Sequence, residues 1–369
     1  SDLVERRGMS GTAAAQPAVT RPRAGACAGR VLVRREAGDF AVEELIEMEG
    51  AEAGGEHLWL RVRKTGENTD HVAQLLARAA GIRPHQVGYA GRKDRHAVTT
   101  QWFSLHLPGK PDPLDFALPP SVEILESLRR RRKLATGGLR GNRFRIVLRE
   151  FAGDAALLGQ RLGEVAAHGA PNYFGEQRFG RDGGNVAQAL EWMRGERQVH
   201  DRKLRGLLLS AARSQLFNAV LARRVGEGSW CEARAGDALM LDGRGSFFVA
   251  AGIDAELAAR VARGELHPSG ALWGAGEPPT RLGVAALERA VAAEQPELAA
   301  GLERAGLVQE RRALRVMPRE LAWEWLDAAT LAAAFRLPAG CFATTVLDEV
   351  LECRDAALVR SSSAAAAPA

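Results

Sequence analysis

Cysteine is scarce in this sequence, and its spacing predicts neither a metal site nor a disulfide framework. Cys27, Cys231, Cys341 and Cys353 are far apart, with no C-x-x-C pair and no histidine-rich segment beside them. Structural zinc requires clustered ligands, and a disulfide framework requires closely spaced cysteines in a short chain. We therefore expect reduced thiols, no metal and a cytoplasmic location.

Long apolar runs are missing as well. No stretch approaches the roughly 20 apolar residues that span a bilayer, and the N-terminal residues lack the apolar core of a signal peptide. The glycine-rich stretch at residues 243–245 has neither the G-x-x-x-x-G-K-[ST] spacing of a phosphate loop nor a helix signal after it. We expect no membrane span and no cofactor.

Acidic residues are absent from residues 129–149, although the whole chain has 50 basic and 45 acidic residues and a net charge of only +5. Nine basic residues lie in this stretch: Arg129, Arg130, Arg131, Arg132, Lys133, Arg140, Arg143, Arg145 and Arg149. A local positive field attracts a polyanion, so we favour a nucleic-acid surface over an ordinary strand with a charged outer face.

A chain of 369 residues is long for one hydrophobic core and indicates two domains. Strand-like patterns at both ends flank a helix-rich middle, which favours a second domain inserted into the first. The alanine-, glycine-, proline- and arginine-rich residues 1–28 and the alanine-rich residues 359–369 are expected to be disordered tails.

Hydrophobic periodicity predicts the main elements. Strands are expected from Val31, at 40–44, 57–63, 99–107, 143–149 and 331–337, with a hairpin over 238–249. Helices are expected after the N-cap residues Asn68, Asp154, Asn185 and Ser210, and around 346–351. Residues 253–312 are expected to be helical, with interruptions near Pro268 and at 274–279.

The most informative stretch is residues 87–107, which predicts a strand, a polar loop and a second strand. The loop holds one carboxylate, Asp94, between Lys93 and Arg95, with Arg92 and His96 outside them. Nearby cations favour the ionised form of a carboxyl group, so we expect a permanent anion that suits a nucleophile or a cation stabiliser. A solvated charged loop without function is the alternative. His96 and His71 are expected to be structural.

Residues 171–185 combine aromatics, arginine and glycine without a regular period. Such a stretch stacks on unpaired bases in some proteins, and in others it is a connection anchored in a core. The residues leave both readings open.

Five long motifs, in order along the chain, resemble one family. They are Gly88-Tyr-Ala-Gly-Arg-Lys-Asp-Arg-His-Ala-Val-Thr-Thr-Gln-Trp, Leu139-Arg-Gly-Asn-Arg-Phe, Pro171-Asn-Tyr-Phe-Gly-Glu-Gln-Arg-Phe-Gly, Leu209-Ser-Ala-Ala-Arg-Ser-Gln-Leu-Phe-Asn and Leu337-Pro-Ala-Gly-Cys-Phe-Ala-Thr. Together they resemble the TruD family of tRNA pseudouridine synthases, over about residues 31–354.

The resemblance implies an α+β fold, in which a catalytic domain with a mixed, mainly antiparallel sheet is interrupted by an inserted α/β domain. The catalytic domain would comprise residues 29–170 and 318–358, and the inserted TRUD domain residues 171–317. The implied activity is isomerisation of uridine to pseudouridine in tRNA, at position 13 in bacterial members, by an enzyme that we expect to be monomeric.

The resemblance also implies residue roles. Asp94 corresponds to the family's catalytic aspartate, with Lys93 beside it, and Asn142 and Phe144 belong to the Gly-Asn-x-Phe motif, whose aromatic is expected to pack on the target base. Glu44 and Arg34 would support the site, although many members have lysine in place of Arg34. The basic residues expected to bind RNA are Arg129, Arg130, Arg131, Arg132, Lys133, Arg140 and Arg143.

Two other functions fit parts of the sequence. One is a non-catalytic RNA-binding or tRNA-folding protein with the same fold, which the Asp94, Asn142 and Phe144 set disfavours. The other is a glycoside hydrolase, which would need a second carboxylate about 5 to 9.5 Å from Asp94 that the loop does not supply.

Overall fold

The computed structural model describes residues 19–46, 55–113, 115–135, 137–180 and 183–357. In chain order the strands are β1 (Gly29–Val33), β2 (Phe40–Ile46), β3 (His57–Thr65), β4 (Val87–Tyr89), β5 (Val98–His106), β6 (Val122–Arg130), β7 (Leu139–Gly153), β8 (Ala170–Pro171), β9 (Ala238–Leu241), β10 (Phe247–Val249), β11 (Leu266–Leu272), β12 (Glu310–Ala313), β13 (Arg315–Val316), β14 (Arg319–Asp327), β15 (Thr330–Pro338) and β16 (Glu352–Asp355). The α-helices are α1 (Thr69–Ala79), α2 (Ala155–His168), α3 (Gly184–Met193), α4 (Arg202–Gly226), α5 (Ala255–Ala262), α6 (Leu282–Glu294), α7 (Pro296–Arg304) and α8 (Ala343–Val350).

Ten of these strands form one large sheet, built from both ends of the chain. Its main order is β14-β15-β7-β2-β5-β3-β6, with β1 joined to β7 and β16, and β4 joined to β5. Among the strand pairs that the described residues form in this sheet, β2–β5 and β1–β16 are parallel and the others are antiparallel. The prediction of a mixed, mainly antiparallel sheet is confirmed.

One face of this sheet carries the apolar positions predicted for strands β3, β5, β7 and β15, and we call it the front face. Around β7 and β15 it packs against α2 and α8, with Phe144, Ile146 and Phe335 in the core. Around β3 and β5 it packs against α1, with Leu60 and Phe103 in a second core. Burial of these alternating side chains stabilises the sheet and fixes its register.

Between the two cores the front face is polar. The register places Glu44 beside Asn142, and Val42 beside both Phe144 and Thr99, while Thr99 lies beside Lys64. All of these polar side chains are buried. Burial of a polar group is costly unless the group is hydrogen-bonded or ion-paired, so this stripe is a candidate functional position on the sheet.

The back face of β5 is covered as well. Trp102 and Ser104 are buried because residues 131–135 fold across that face, where Leu134 packs with Trp102 and its backbone N–H donates to Ser104. The sheet is therefore covered on both sides near the loop.

After α2 the chain leaves the large sheet and returns to it at β14. The intervening residues form α3–α7 and a four-stranded sheet of order β10-β9-β11-β12. The short antiparallel pair of β8 and β13 lies where the chain leaves and returns, and the predicted limits at 171 and 317 fall at this pair.

Residues 19–28, predicted to belong to a disordered tail, pack in the described structure, so that part of the prediction was wrong. The backbone N–H groups of Ala24 and Gly25 donate to Glu349, and Arg23 donates to the carbonyl oxygen of Leu351. Glu349 at the end of α8 thus fixes this segment. Residues 1–18 and 358–369, which hold the rest of the two predicted tails, lie outside the described residues.

Two predicted helix starts were also wrong. Ser210 lies inside α4, which begins after Asp201, whose carboxylate accepts from the backbone N–H of Lys203. Ser210 instead accepts a hydrogen bond from Arg178. Helix α3 begins one residue before Asn185, whose amide donates to the carbonyl oxygen of Arg178. The N-cap at Asp154 and the hairpin of β9 and β10 are as predicted.

Candidate active site

Asp94 lies in the loop between β4 and β5, at the edge of the polar stripe of the front face. Its side chain is 57% exposed, so solvent and ligands reach the carboxylate. Thr69 accepts from the backbone N–H of Lys93, and Gln101 donates to the carbonyl oxygen of Gly91. These bonds tie both arms of the loop to α1 and β5, which holds Asp94 in one position.

Arg34 is the cation that contacts the Asp94 carboxylate. Its Nη2 atom lies 2.8 Å from Oδ2 of Asp94, and its guanidinium covers the ring of Phe40 at 4.1 Å. Arg34 has a left-handed backbone with φ of 56°. That conformation is rare for a residue with a Cβ atom and clusters at functional sites.

Lys64 supports the loop from below. Its fully buried ammonium donates to the carbonyl oxygens of Glu67, at 2.7 Å, and Asp94, at 3.2 Å. Burial lowers the pKa of Lys64 to about 8, and the nearby charge of Asp94 opposes part of that shift.

Lys93 does not point toward Asp94, although it precedes it in sequence. Its ammonium lies 3.1 Å from Glu44, whose other carboxylate oxygen accepts from the backbone N–H of Trp102. Arg92 forms an ion pair with Asp70, which also accepts from the hydroxyl of Tyr89. The expectation that the loop's own cations surround Asp94 was therefore wrong for these two residues, because acids on β2 and α1 bind them.

Asn142 and Phe144 both lie on the front face, on the same side of the sheet as Glu44. The side-chain oxygen of Asn142 is buried and has no hydrogen-bond partner within the described part of the chain. Phe144 is only 6% exposed, and its ring packs on Phe40 and Phe335 with centroids 6.2 and 5.7 Å apart. Its predicted contact with a base stays a prediction.

A cleft of about 530 Å³ includes Val33, the residue before Arg34, in its lining. It lies between α8 and β16 of the large sheet on one side and residues 171–178 on the other. Asp355 lines it and contacts Arg34 at 2.7 Å, and Arg34 in turn contacts Asp94, so Arg34 connects the wall of the cleft to Asp94. The aromatic and glycine-rich stretch noted in the sequence thus forms one wall.

The basic residues predicted to bind RNA differ in their surroundings. Arg129 is bound by Asp112 and by the carbonyl oxygens of Gly55, Leu107 and Lys110. Arg143 lies on the back face, opposite Asn142, and pairs with Glu43.

Acidic residues from other segments therefore compensate part of the positive charge of residues 129–149, which contain no acidic residue themselves. Arg130, Arg131 and Arg132 lie at the His57 end of β3, whereas Asp94 lies near its Thr65 end. Because a nine-residue strand spans roughly 25 Å, the cluster of Arg130, Arg131 and Arg132 is separated from Asp94 by about the length of β3.

Three site residues were missed by the sequence reasoning. Lys64 had a detectable signal, because it continues the buried alternation of Leu58, Leu60 and Val62. Thr99 lies opposite Lys64 and is buried. Asp355 is separated from Arg34 by 321 positions and had no local signal.

Within the described ranges, no helix is long and apolar enough to cross a membrane. The same residues contain no group of three or more His, Cys, Asp and Glu side chains that could hold a metal ion. The four cysteines are not joined in disulfides.

Comparison with solved structures identifies the fold. A crystal structure from Methanosarcina mazei, described as that of a candidate tRNA pseudouridine synthase D (TruD), superposes with a TM-score of 0.66 at 21% identity, and the match covers 89% of this chain and 95% of that one. At this identity the likeness shows that the two chains share an α+β fold, and nothing finer.

Sequence comparison then identifies the family. The family model described as tRNA pseudouridine synthase D (TruD) matches residues 26–188 and 182–350. A tRNA pseudouridine synthase D from Xanthomonas campestris is 50% identical over 357 residues, covering 93% of this chain and 97% of the relative. Relatives of the same name from Methylococcus capsulatus and Pseudomonas aeruginosa are 49% and 46% identical, cover 88% and 90% of this chain, and are themselves covered over 92% and 93% of their length. The chain belongs to the tRNA pseudouridine synthase D family, and the prediction of that family is confirmed.

Proposed function

We propose that this protein isomerises a uridine of tRNA, at position 13, to pseudouridine, and that Asp94 is its catalytic residue. The observation that carries the proposal is the Asp94 carboxylate itself, which is solvent-accessible, contacted by Arg34 and mounted on a loop braced by Lys64. Preorganised charge of this kind is the largest contribution to catalysis in many enzymes.

The reaction breaks the bond between N1 of uracil and C1′ of the ribose, rotates the base and joins C5 to C1′. A proton leaves C5 and N1 gains one, so the product is an isomer and no electrons are exchanged. Loss of the N1 bond leaves positive charge on the sugar. Asp94 stabilises that charge, attacks C1′ or assists proton loss from the ribose, and all three routes use the same anion.

The polar stripe supplies groups to hold the detached base. The unpartnered side-chain oxygen of Asn142 is suited to accept a hydrogen bond from the imide N–H of uracil. Phe40, Phe144 and Phe335 form an apolar wall beside it. A base inside folded RNA must leave its stack to reach this position, which costs a few kcal/mol that contacts to the backbone offset.

The remaining proposals concern the whole molecule. The catalytic domain comprises residues 29–170 and 318–358, and residues 171–317 form the inserted domain that closes the other side of the cleft. The enzyme acts as a cytoplasmic monomer, and Arg129, Arg130, Arg131, Arg132, Lys133, Arg140 and Arg143 contribute to RNA binding.

Replacement of Asp94 by Asn tests the assignment, because the amide keeps the shape of the side chain and removes its charge. We expect Asp94→Asn to bind tRNA like the wild type and to lose turnover, measured as tritium release from tRNA labelled at uridine C5. The matched control is Asp115→Asn, at an exposed carboxylate in the loop between β5 and β6, which should retain full activity. Substantial tritium release by Asp94→Asn would refute the role of Asp94. If the wild type binds tRNA but releases no tritium, the non-catalytic RNA-binding alternative is favoured.

A further inference from the structure

Arg34 is shared by two carboxylates from distant parts of the chain. Its Nη2 atom lies 2.8 Å from Asp94, and its Nη1 atom lies 2.7 Å from Asp355 in β16. The guanidinium is planar, so the two terminal nitrogens have fixed directions and a contact made by one restricts the other.

The Asp355 end of this arrangement is itself fixed. Its side chain is 14% exposed; Oδ2 accepts from Arg34, and Oδ1 accepts from the backbone N–H of Ala357 at 2.9 Å. Strand β16 pairs in parallel with β1, with Asp355 in register with Val33, the residue before Arg34. The strand pairing therefore sets the position of the carboxylate that holds Arg34.

We propose that Asp355 is a positioning residue, which acts by occupying one terminal nitrogen of Arg34 and so limits Arg34 to a single contact with Asp94. This inference rests on the proposed catalytic role of Asp94. Arginine and carboxylate groups often pair through two parallel hydrogen bonds. Such a pair would engage both oxygens of Asp94, whereas here Arg34 contacts Oδ2 alone.

The two carboxylate oxygens of Asp94 therefore have different roles in the reaction. Oδ2 is oriented by Arg34, and Oδ1 stays available to the sugar of the substrate. Loss of the Asp355 charge removes the contact that directs Nη1, so the guanidinium turns relative to Asp94 and rotates the reacting carboxylate. We expect the rate of the chemical step to suffer, while tRNA binding does not.

Single-turnover kinetics with Asp355→Asn test the proposal. We expect the rate constant at saturating enzyme to fall about 10- to 100-fold, the range associated with misplacing a reacting group by up to an ångström. The Kd for tRNA should change less than about twofold. Asp355→Glu, which keeps the charge, should recover part of the rate and serves as the test if the Asn variant does not fold. A rate within twofold of the wild type, or a loss confined to Kd, would overturn the proposal.

A double-mutant cycle separates this role from a general structural one. Lysine has one terminal nitrogen, so in an Arg34→Lys background Asp355 has no second nitrogen to hold away from Asp94. Adding Asp355→Asn to that background should change the rate less than about twofold. Full additivity of the two losses would contradict the proposal. Asp94→Asn in the same assay distinguishes the two levels: activity in that variant refutes the proposed function, whereas an inactive Asp94→Asn with a normal Asp355→Asn refutes this inference alone.

Discussion

Glu44 and Lys93 form an ion pair of 3.1 Å beneath the loop that carries Asp94, and their side chains are 0% and 7% exposed. Glu44 also accepts from the backbone of β5, so the pair connects the loop to the centre of the sheet. A buried charge that loses its partner is costly, because neither water nor another group replaces the lost contact.

Removal of the Glu44 charge should therefore destabilise the protein strongly. We expect Glu44→Gln to lower the free energy of unfolding by about 3 to 5 kcal/mol, since it leaves the Lys93 ammonium buried without its counter-ion. Denaturant unfolding measures the effect. The matched control is Glu43→Gln, one residue away on the opposite face, where the partly exposed pairs with Arg61 and Arg143 should contribute less than about 1 kcal/mol.

The double variant Glu44→Gln with Lys93→Met removes both charges. It should recover much of the stability, because no unpaired ion remains. Equal losses for Glu44→Gln and Glu43→Gln would show that the buried pair has no special role.

Lys64 should give the reaction a pH dependence. Its pKa is lowered to about 8 by burial, so the ammonium below Asp94 loses its charge as the pH rises through that value. We expect the single-turnover rate to fall with a midpoint near pH 8. Lys64→Met should be slower at pH 7 and show no fall near pH 8, while the exposed control Lys203→Met should follow the wild type.

Unfolding does not produce the same profile. Between about pH 8 and the ordinary value of 10.5, the unfolded chain binds a proton at Lys64 that the folded chain has released. The contribution of this group to stability therefore increases with pH in that interval. A rate that falls while unfolding stability is constant or rising supports the role of Lys64, and a flat rate profile from pH 7 to 9 contradicts it.

Charge reversal at Arg130 and Arg131 should weaken tRNA binding. Each lost phosphate contact reduces the slope of log affinity against log salt by roughly 0.7 to 0.9, so the double variant should lose affinity mainly at low salt. A salt titration of Kd measures this. Reversal of Arg202 and Lys203 at the start of α4 gives the same change in net charge and is the control. Equal affinity of the Arg130 and Arg131 variant and the wild type at every salt concentration would exclude this end of β6 from the RNA surface.

The sequence predicted the large sheet well where strands lie at its centre. Phe103, Ile146 and Phe335 each belong to a central strand in which every second residue is apolar, because one face of that strand is buried along its whole length. Strand β6 and the edge strand β14 were missed, since β14 exposes most of its side chains and so lacks that alternation. Ser210 was mistaken for a cap because serine is a good N-cap residue, although the apolar period of α4 continues through it from Leu208 to Ala212.

The site was predictable only in its local part. Asp94 stands out in sequence because motif and loop coincide there, and Arg34 was found through the resemblance. The true partners of the loop's cations, Glu44 and Asp70, are set by strand register and helix packing. Asp355 reaches Arg34 only through the parallel pairing of β1 and β16, which no window of neighbouring residues contains.

The placement of β15 and β16 also constrains how the protein is made. Strand β7 pairs with β15 and β1 pairs with β16, so the first half of the sheet leaves the ribosome well before its final strands exist. Pairings this distant in sequence form slowly and late. A nascent or prematurely terminated chain that ends before Asp355 lacks the carboxylate that contacts Arg34, so the surroundings of Asp94 are completed only when β16 has been synthesised.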